Sequence, residues 1–191
     1  MKSLSKGSAN NQIKIRKKRD KMERLNEEFF HRDCLEVAPD LVGKILVSRI
    51  GGEEIRVKIT ETEAYCGEED TACHAHKGRT QRTEVLYGKS GVIYVYLCYG
   101  IHWLMNVITG EEGQPQGVLF RAGEGSNGPA KLTKRLGVTG KQNKGSFVTS
   151  DEIWIEDDGK KHSFHTDKRV GIGYASQEDI DRQWRFIADD E

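Results

Sequence analysis

The chain has 191 residues, which is enough for one domain with a proper hydrophobic core and too few for two. Its 30 basic residues balance its 30 acidic residues, and this balance excludes a generally basic protein that coats nucleic acid. No apolar run approaches the ~18 residues that span a bilayer, and the N-terminus lacks the apolar segment of a signal peptide, so we expect a protein of a cytosol-like compartment, neither secreted nor membrane-bound.

The first segment, residues 1–24, is predicted to be a disordered basic tail, because it is polar and lysine-rich and has no usable apolar stripe. It carries nine basic residues against two acidic ones. Such a tail increases solubility or tethers a protein to DNA, and the sequence leaves both roles open. The remaining residues, 25–191, contain no internal repeat and no Pro- or Ser-rich linker, so we expect them to form one domain.

Residues 35–42 predict a short helix, in which Pro39 is tolerated only near the first turn and which Gly43 ends. A strand follows at residues 44–48. The pair Gly51-Gly52 then supplies a hairpin turn, so this strand and the next one are expected to be antiparallel neighbours.

The next strand, Ile55–Tyr65, begins with strict alternation of apolar and polar residues. Period two predicts that its odd positions face a core, and continuing the count places Glu61, Glu63 and Tyr65 on the inward face. An inward carboxylate is paired, or it lines a cleft that uses its altered pKa. The alternative is a strand that ends before the glutamates, which are then merely solvated. The acidic loop that follows returns to His74, and this ionisable neighbour favours the cleft.

The loop at residues 74–83 is polar and cationic and has no regular period, so it suits contact with phosphates better than core packing. Arg79 and Arg82 are its candidate phosphate ligands. Residues 77–144 carry ten basic residues against four acidic ones, and this local excess lies among aromatic strands, where it can meet a polyanion.

Residues 92–99 form the strongest predicted strand, since β-branched and aromatic residues fill it and Tyr94 and Tyr96 share one of its faces. Gly100 ends this strand. Residues 102–108 are predicted to return as a neighbouring strand, which places Asn106 in an otherwise apolar row. A buried Asn is normally a hydrogen-bonded structural group, and a place in a binding site is the alternative.

A further strand is predicted at residues 117–120, ending at Arg121. A helix follows at residues 129–136, because proline stands at its first position and glycine after its last, and Lys131 lies near its anion-attracting N-terminus. The C-terminal third holds segments that look structural: a short strand at 153–155, then residues 170–173 and 184–186.

The loop after the Ile55–Tyr65 strand also contains the residue types that zinc prefers, namely Cys66, Cys73, His74 and His76. Their spacing matches no CxxC, HExxH or deaminase pattern, so we predict no metal site, and the four cysteines of the chain are read as reduced thiols. A P-loop, a dinucleotide fingerprint and a GxSxG elbow are absent. What remains is an inward carboxylate with a histidine, tyrosines, a buried amide and cationic loops, which together suit the grip of a flat ring beside a polyanion.

Six segments resemble, in order and spacing, the alkyladenine (3-methyladenine or N-methylpurine) DNA glycosylases: Glu61–Tyr65, His74, Tyr94–Gly100, Met105–Asn106, Leu119–Ala122 and Gly128–Leu132. The resemblance covers about residues 35–186. It implies a mixed α/β (α+β) fold, with one domain built on a curved, open-barrel-like antiparallel β-sheet with flanking helices. It also implies a monomer that needs no metal or organic cofactor.

The implied activity is that of a monofunctional DNA glycosylase in base excision repair. Such an enzyme flips alkylated or deaminated purines (3-methyladenine, 7-methylguanine, hypoxanthine and ethenoadenine) out of double-stranded DNA, and hydrolyses the N-glycosidic bond with a Glu-activated water. The implied location is a bacterial cytoplasm, at the nucleoid, or a eukaryotic nucleus. The chain departs from the family pattern at residues 80–83, which lack the family's proline and asparagine.

The resemblance also implies a role for each site residue. Glu63 is similar to the general base, with Arg121 beside the same water. Tyr65 and His74 are similar to one wall of the base pocket and Tyr96 to the other. The remaining implied roles are those of Tyr99, which fills the place of the flipped base in the duplex, and Asn106, which excludes guanine by collision with its exocyclic amine.

Two other classes of protein stay open at this point. A non-catalytic nucleic-acid-binding module could use the tyrosine strand for stacking and would leave Glu63 without a function. A zinc-dependent hydrolase could use the loop from Cys66 to His76 instead.

Overall fold

The computed structural model describes residues 22–189. These residues form a single domain, in which an antiparallel sheet curls into a half-barrel and four helices flank it. The predicted mixed α/β fold with a curved antiparallel sheet is therefore confirmed. No helix among residues 22–189 has both the length and the apolar character needed to cross a bilayer.

The elements follow the chain in a simple order. The strands are β1 (Glu23–Arg24), β2 (Ile45–Ser48), β3 (Ile55–Tyr65), β4 (Ile93–Cys98), β5 (His102–Thr109), β6 (Gln116–Gly123), β7 (Ile153–Asp157), β8 (Phe164–Asp167) and β9 (Arg185–Ala188). The α-helices are α1 (Glu27–Phe30), α2 (Cys34–Leu41), α3 (Pro129–Leu136) and α4 (Gln177–Asp181). The sheet has the order β1-β7-β2-β3-β6-β5-β4, and β9 pairs with both β3 and β8.

The N-terminal boundary lies earlier than the sequence predicts. Glu23 and Arg24 form β1 and pair with β7, so these two residues belong to the sheet. Arg24 is held there because its guanidinium donates to the carbonyl oxygens of Phe147 and Ser150, at 2.7 and 2.6 Å. Most of the predicted basic tail, residues 1–21, lies outside the described residues.

Helix α2 corrects the expectation for Pro39. The sequence predicts that this proline is tolerated only near the first turn, yet it is the sixth of eight helical residues. The helix ends soon after it, with the Val42 N–H bonded to the Pro39 carbonyl at 3.1 Å, and Gly43 follows with φ 86°. A proline in a last turn interrupts few helical hydrogen bonds, which explains why it fits.

Helix α3 has the predicted bounds. Pro129 is its first residue and Gly137 follows its last in the left-handed conformation. The N–H groups of Gly137 and Val138 bond to carbonyls of the last turn, at 3.3 Å to Lys134 and 2.9 Å to Thr133, so that the helix end is satisfied. The predicted strands at β2, β4 and β5 lie where expected, and β6 is three residues longer than predicted at its C-terminal end.

Strand β3 is the longest strand between residues 22 and 189, and its register against β6 shifts twice. Ile59 lies opposite Gly123, Glu61 opposite Ala122, and Thr62 opposite Phe120. One residue on each strand is therefore left without a partner, namely Thr60 on β3 and Arg121 on β6. Bulges of this kind bend a strand and re-aim the side chains that follow.

The double bulge corrects the simple alternation predicted for β3. Val57 and Ile59 lie in the main core, as expected, but beyond the bulge Ala64 joins that core. Thr62 is also fully buried and its hydroxyl donates to the Ala38 carbonyl of α2 at 2.8 Å. Glu63 consequently lies on the other face of the strand, away from α2, and is fully buried there. The alternative of solvated glutamates after a shorter strand is wrong.

Candidate active site

Glu63 lies in the second half of β3, between β6 and β9. Both of its carboxylate oxygens accept hydrogen bonds: Oε1 from the backbone N–H of Val170 and Oε2 from the hydroxyl of Tyr65, each at 2.8 Å. The side chain is fully buried, so these donors replace the water that an exposed carboxylate would bind. The sequence predicted Tyr65 as a neighbour of Glu63, whereas Val170 was read as structural.

The bulged residue Arg121 brings a positive charge to Glu63. Its Nε lies 3.3 Å from Glu63 Oε1 and 3.0 Å from Glu61 Oε1, and Arg185 of β9 contacts Glu61 at 2.9 Å. The Arg121 Nε is buried between the two carboxylates, which it contacts as an ion pair without a well-aligned hydrogen bond among the described residues. Cationic and anionic side chains therefore alternate from β9 to β3 in the order Arg185, Glu61, Arg121 and Glu63.

Burial is the largest influence on Glu63 and raises its pKa, while Arg121, the Val170 N–H and the Tyr65 hydroxyl each lower it. The first effect makes the carboxylate a stronger proton acceptor. The other three favour its ionised form. A buried carboxylate with these neighbours is suited to take a proton from a water molecule.

Next to Glu63 is a cleft with five aromatic side chains in its lining, which we call the aromatic cleft. Its lining includes Tyr65, His74, Tyr94, Tyr96, Asn106 and Tyr174. The sequence pointed to four of these six as base-binding residues. The sequence analysis treated Tyr94 only as the strand neighbour of Tyr96. It gave Tyr174 no role, because this residue follows residues 170–173, which look structural.

The ring contacts differ from the predicted pair of walls. His74 and Tyr96 were expected on opposite sides of a base, but their rings touch edge to face, with centroids 4.6 Å apart. A base between two rings needs about 7 Å, since each stacking contact takes 3.5–4.0 Å. His74 and Tyr96 therefore form one side of the cleft.

His74 is held as a neutral imidazole. Its Nδ1 lies 2.9 Å from the Tyr94 hydroxyl, and its pKa is lowered to about 4, first by burial and then by the positive charge of Arg82. At neutral pH the cleft wall thus carries no charge from this residue. His76, which lies two residues further along the same loop, instead has its Nδ1 2.8 Å from the Glu68 carbonyl oxygen.

Asn106 is a hydrogen-bonded structural group that also lies at the cleft. It is buried, and its Nδ2 donates to the Tyr94 carbonyl at 3.2 Å, which is the structural bond expected of a buried amide. It also lines the aromatic cleft. One hydrogen bond therefore fixes an amide group at the inner surface of the cleft.

The hairpin between β4 and β5 ends in an apolar tip. Tyr99 is 89% exposed and Ile101 is 70% exposed, both unusual for large apolar side chains. Tyr99 and Gly100 both have positive φ, at 50° and 72°, and the Ile101 N–H bonds to the Cys98 carbonyl at 3.1 Å. These are the features of a type I′ turn, which makes the tip narrow and carries Tyr99 beyond the sheet.

The predicted phosphate ligands have different surroundings. Arg79 is exposed and forms a bidentate ion pair with Glu84, with both bonds at 2.7 Å. Arg82 is exposed at the cleft, with its guanidinium 5.8 Å from the centre of the Tyr96 ring. Lys131 is exposed in the first turn of α3. Only Arg82 thus contacts the aromatic cleft.

The residues considered for zinc do not form a shared site. Within residues 22–189 no group of three or more His, Cys, Asp or Glu side chains is arranged to hold a metal ion. The Sγ of Cys66 lies 2.9 Å from the Sγ of Cys34, and the Sγ of Cys73 lies 4.0 Å from the Pro115 carbonyl oxygen.

Comparison with known proteins identifies the family of this chain. Residues 28–191 match the family model described as Methylpurine-DNA glycosylase (MPG). The chain belongs to the methylpurine-DNA glycosylase family. The family assignment rests on most of the chain and confirms the resemblance drawn from the six sequence segments.

Several relatives of this methylpurine-DNA glycosylase family member bear the name "Putative 3-methyladenine DNA glycosylase". One from Natranaerobius thermophilus is 39% identical, in a match that covers 87% of this chain and 96% of the relative. One from Desulfitobacterium hafniense is 40% identical and covers 88% of this chain and 97% of its own. One from an Anaeromyxobacter species is 41% identical, with 85% and 88% covered. Membership makes the protein a DNA glycosylase of DNA repair, with DNA as its substrate.

Proposed function

We propose that this protein excises alkylated and deaminated purines from double-stranded DNA by hydrolysis of the N-glycosidic bond. The substrates are of the class that includes 3-methyladenine, 7-methylguanine, hypoxanthine and ethenoadenine. The observation that carries the proposal is the fully buried carboxylate of Glu63, held by two hydrogen-bond donors and a guanidinium beside an aromatic cleft. A binding module without chemistry has no use for such a costly group.

In the proposed reaction, Glu63 takes a proton from a water whose oxygen bonds to the anomeric carbon. The N-glycosidic bond breaks, and its electron pair leaves with the base. An alkylated purine with a positive charge therefore departs as a neutral base, whereas neutral hypoxanthine or ethenoadenine takes up one proton, which balances the proton that Glu63 removes from water. The sugar develops oxocarbenium character, so the nearby carboxylate also stabilises its positive charge. Arg121, whose guanidinium lies beside the Glu63 carboxylate, orients the same water. No lysine acts as a nucleophile, which makes the enzyme monofunctional.

The extruded base stacks in the aromatic cleft. We propose that Tyr65 contacts one of its faces, and that the side formed by His74 and Tyr96 contacts the other. A neutral His74 avoids repulsion of a purine that carries a positive charge after alkylation. The Asn106 amide, fixed by its bond to the Tyr94 carbonyl, meets the exocyclic amine of guanine and disfavours its binding. 7-Methylguanine carries the same amine, but its positive charge makes it a better leaving group than guanine.

The exposed hairpin tip completes the grip on DNA. Tyr99 enters the duplex and fills the space of the flipped nucleotide, because flipping costs a few kcal/mol that stacking offsets. Arg79, Arg82 and Lys131 contact phosphates, with Arg79 exchanging its exposed partner Glu84 for the backbone. The protein acts as a monomer in the compartment that holds DNA, a nucleoid or a nucleus.

The test is excision from a duplex that bears one hypoxanthine or one ethenoadenine, followed by alkali, with and without EDTA. We expect strand scission at the lesion that survives EDTA, and no scission of the matched duplex with adenine. Scission that EDTA abolishes would instead indicate metal-dependent hydrolysis. Tight binding to every lesion tested without scission would overturn the proposal in favour of a binding module.

A further inference from the structure

Arg169 is a buried cation that the proposed reaction does not use. Its side chain and that of Asp70 are both fully buried. The guanidinium donates to both carboxylate oxygens of Asp70, at 2.6 and 2.8 Å, and to the Ala64 carbonyl at 2.9 Å. A buried ion pair is weak evidence for stability, because desolvation offsets most of its attraction. We therefore look for a role of the buried Arg169–Asp70 pair other than stabilisation of the fold.

The guanidinium of Arg169 lies between two aromatic rings. It is 4.8 Å from the centre of the Tyr65 ring and 4.9 Å from that of Trp184. Arg182 contacts the same Trp184 ring at 4.4 Å. The four side chains form a column of alternating cations and rings that ends at Tyr65, a residue of the aromatic cleft.

Arg169 is also connected to both hydrogen-bond donors of Glu63. Tyr65, whose ring it contacts, donates its hydroxyl to one carboxylate oxygen, and Val170, the next residue in the chain, donates its N–H to the other. The bond to the Ala64 carbonyl ties the same guanidinium to β3 between Glu63 and Tyr65. We infer that Arg169 is a positioning residue that holds these two donors against the carboxylate of Glu63.

The inference deepens the proposed function, on which its catalytic meaning rests. Two hydrogen bonds that favour the ionised carboxylate depend on Arg169, so loosening Arg169 weakens them and raises the pKa of Glu63. One lost bond to a charged group, at about 1.5 kcal/mol or more, corresponds to about one pH unit. The acidic limb of the excision rate should move to higher pH by about that amount.

Other charged and titratable groups face Glu63 and are left unchanged in the test. They are Glu61 and Tyr65 on β3, Arg121 on β6, Arg185 on β9, Tyr96 on β4, and Tyr174 on the loop before α4. A shift that follows a change at Arg169 is therefore attributed to the geometry of the donors.

The experiment compares Arg169→Lys with Arg182→Lys. Both substitutions keep the charge and lose a guanidinium from the same Trp184 ring, but only Arg169 contacts Tyr65 and precedes Val170. Single-turnover excision is measured from pH 4.5 to 9. We expect the acidic limb of Arg169→Lys to shift upward by about one pH unit, and that of Arg182→Lys to coincide with wild type. A merely structural role lowers the rate equally at all pH values.

A second readout does not depend on excision. In protein labelled with ¹³C at the glutamate carboxyl, the Glu63 signal is assigned by its loss in Glu63→Gln and then titrated. The midpoint of this titration should rise in Arg169→Lys. It should also rise, less strongly, in Trp184→Phe, which loosens the column without a change of charge. This second variant serves as the test if Arg169→Lys does not fold. A midpoint unchanged in these folded variants overturns the inference. Wild type that excises no lesion overturns the proposed function instead, and the titration still decides the role of Arg169.

Discussion

In the first half of β3, from Ile55 to Ile59, each buried side chain packs into one hydrophobic core and its neighbours face outward. In the second half, from Glu61 to Tyr65, three consecutive residues are buried, and one of them is a carboxylate. The double bulge at Thr60 and Arg121 separates the two halves. Under the proposed function, the first half of this strand is scaffold and the second half is active site, and two register shifts in the ladder separate them.

The largest expected effect comes from removing the charge in the second half. Glu63→Gln keeps the shape and the length of the side chain but loses the proton acceptor, so excision should fall by about 10²–10⁴-fold while lesion binding persists. Single-turnover excision of hypoxanthine and a binding titration measure both quantities.

The control for Glu63→Gln is Glu69→Gln, which neutralises an exposed carboxylate of the following loop. It should excise like wild type. Borohydride should trap no covalent adduct between protein and DNA in any of the three proteins. A trapped adduct, or near-normal excision by Glu63→Gln, would contradict water activation by Glu63.

A substitution in the first half of β3 should lower stability and leave excision unchanged. Ile59 is fully buried in the main core, so Ile59→Ala should lower the free energy of unfolding by about 2–5 kcal/mol, from lost burial and the cavity left behind. Urea denaturation measures this loss. Below the unfolding transition, the single-turnover rate should equal that of wild type, and a rate that falls with stability would mean that the two halves are not separable.

A smaller effect is expected in how the free energy of unfolding depends on pH, through His74 in the wall of the aromatic cleft. Burial and Arg82 lower the pKa of His74 from 6.5 to about 4, so the unfolded chain binds more protons than the folded protein between these pH values. The His74 contribution to the free energy of unfolding therefore falls as the pH falls from 6.5 to 4. In His74→Gln this part of the pH dependence should disappear.

The measurement is urea denaturation of wild type and His74→Gln at three pH values in that window. His31→Gln, which replaces an exposed histidine, serves as the control and should follow wild type. If wild type and His74→Gln lose stability in parallel, the folded protein does not hold His74 neutral.

Much of this arrangement was predictable from the sequence, because its causes are local. The period of two along β3 and β4, the Gly51-Gly52 turn and the proline and glycine that bound α3 each act within a few residues. The family segments pointed to Glu63. Strict alternation also predicted that Glu63 is buried, but it placed the side chain on the same face as Val57 and Ile59, which is the wrong face. A bulge has no reliable local signature, so the change of face at Thr60 could not be read from the chain.

The contact of Val170 with Glu63 and the pairing of Arg169 with Asp70 could not be predicted for another reason. Val170 acts through its backbone N–H, which every residue other than proline possesses, and it lies 107 positions from Glu63. Arg169 and Asp70 are 99 positions apart, and nothing in either neighbourhood marks them as a pair. Contacts that depend on the packing of distant segments become visible only in the folded structure.

The type I′ turn at Tyr99 has a consequence for how the protein can evolve. A positive φ suits Asn or Gly and costs about 1–2 kcal/mol for other residues. Tyr99 therefore destabilises the turn from which its side chain projects. Asn at this position should make the protein more heat-resistant and a poorer repair enzyme. A library of variants at residue 99 selected for heat resistance alone should lose the tyrosine, whereas one selected for survival of alkylation damage should keep it.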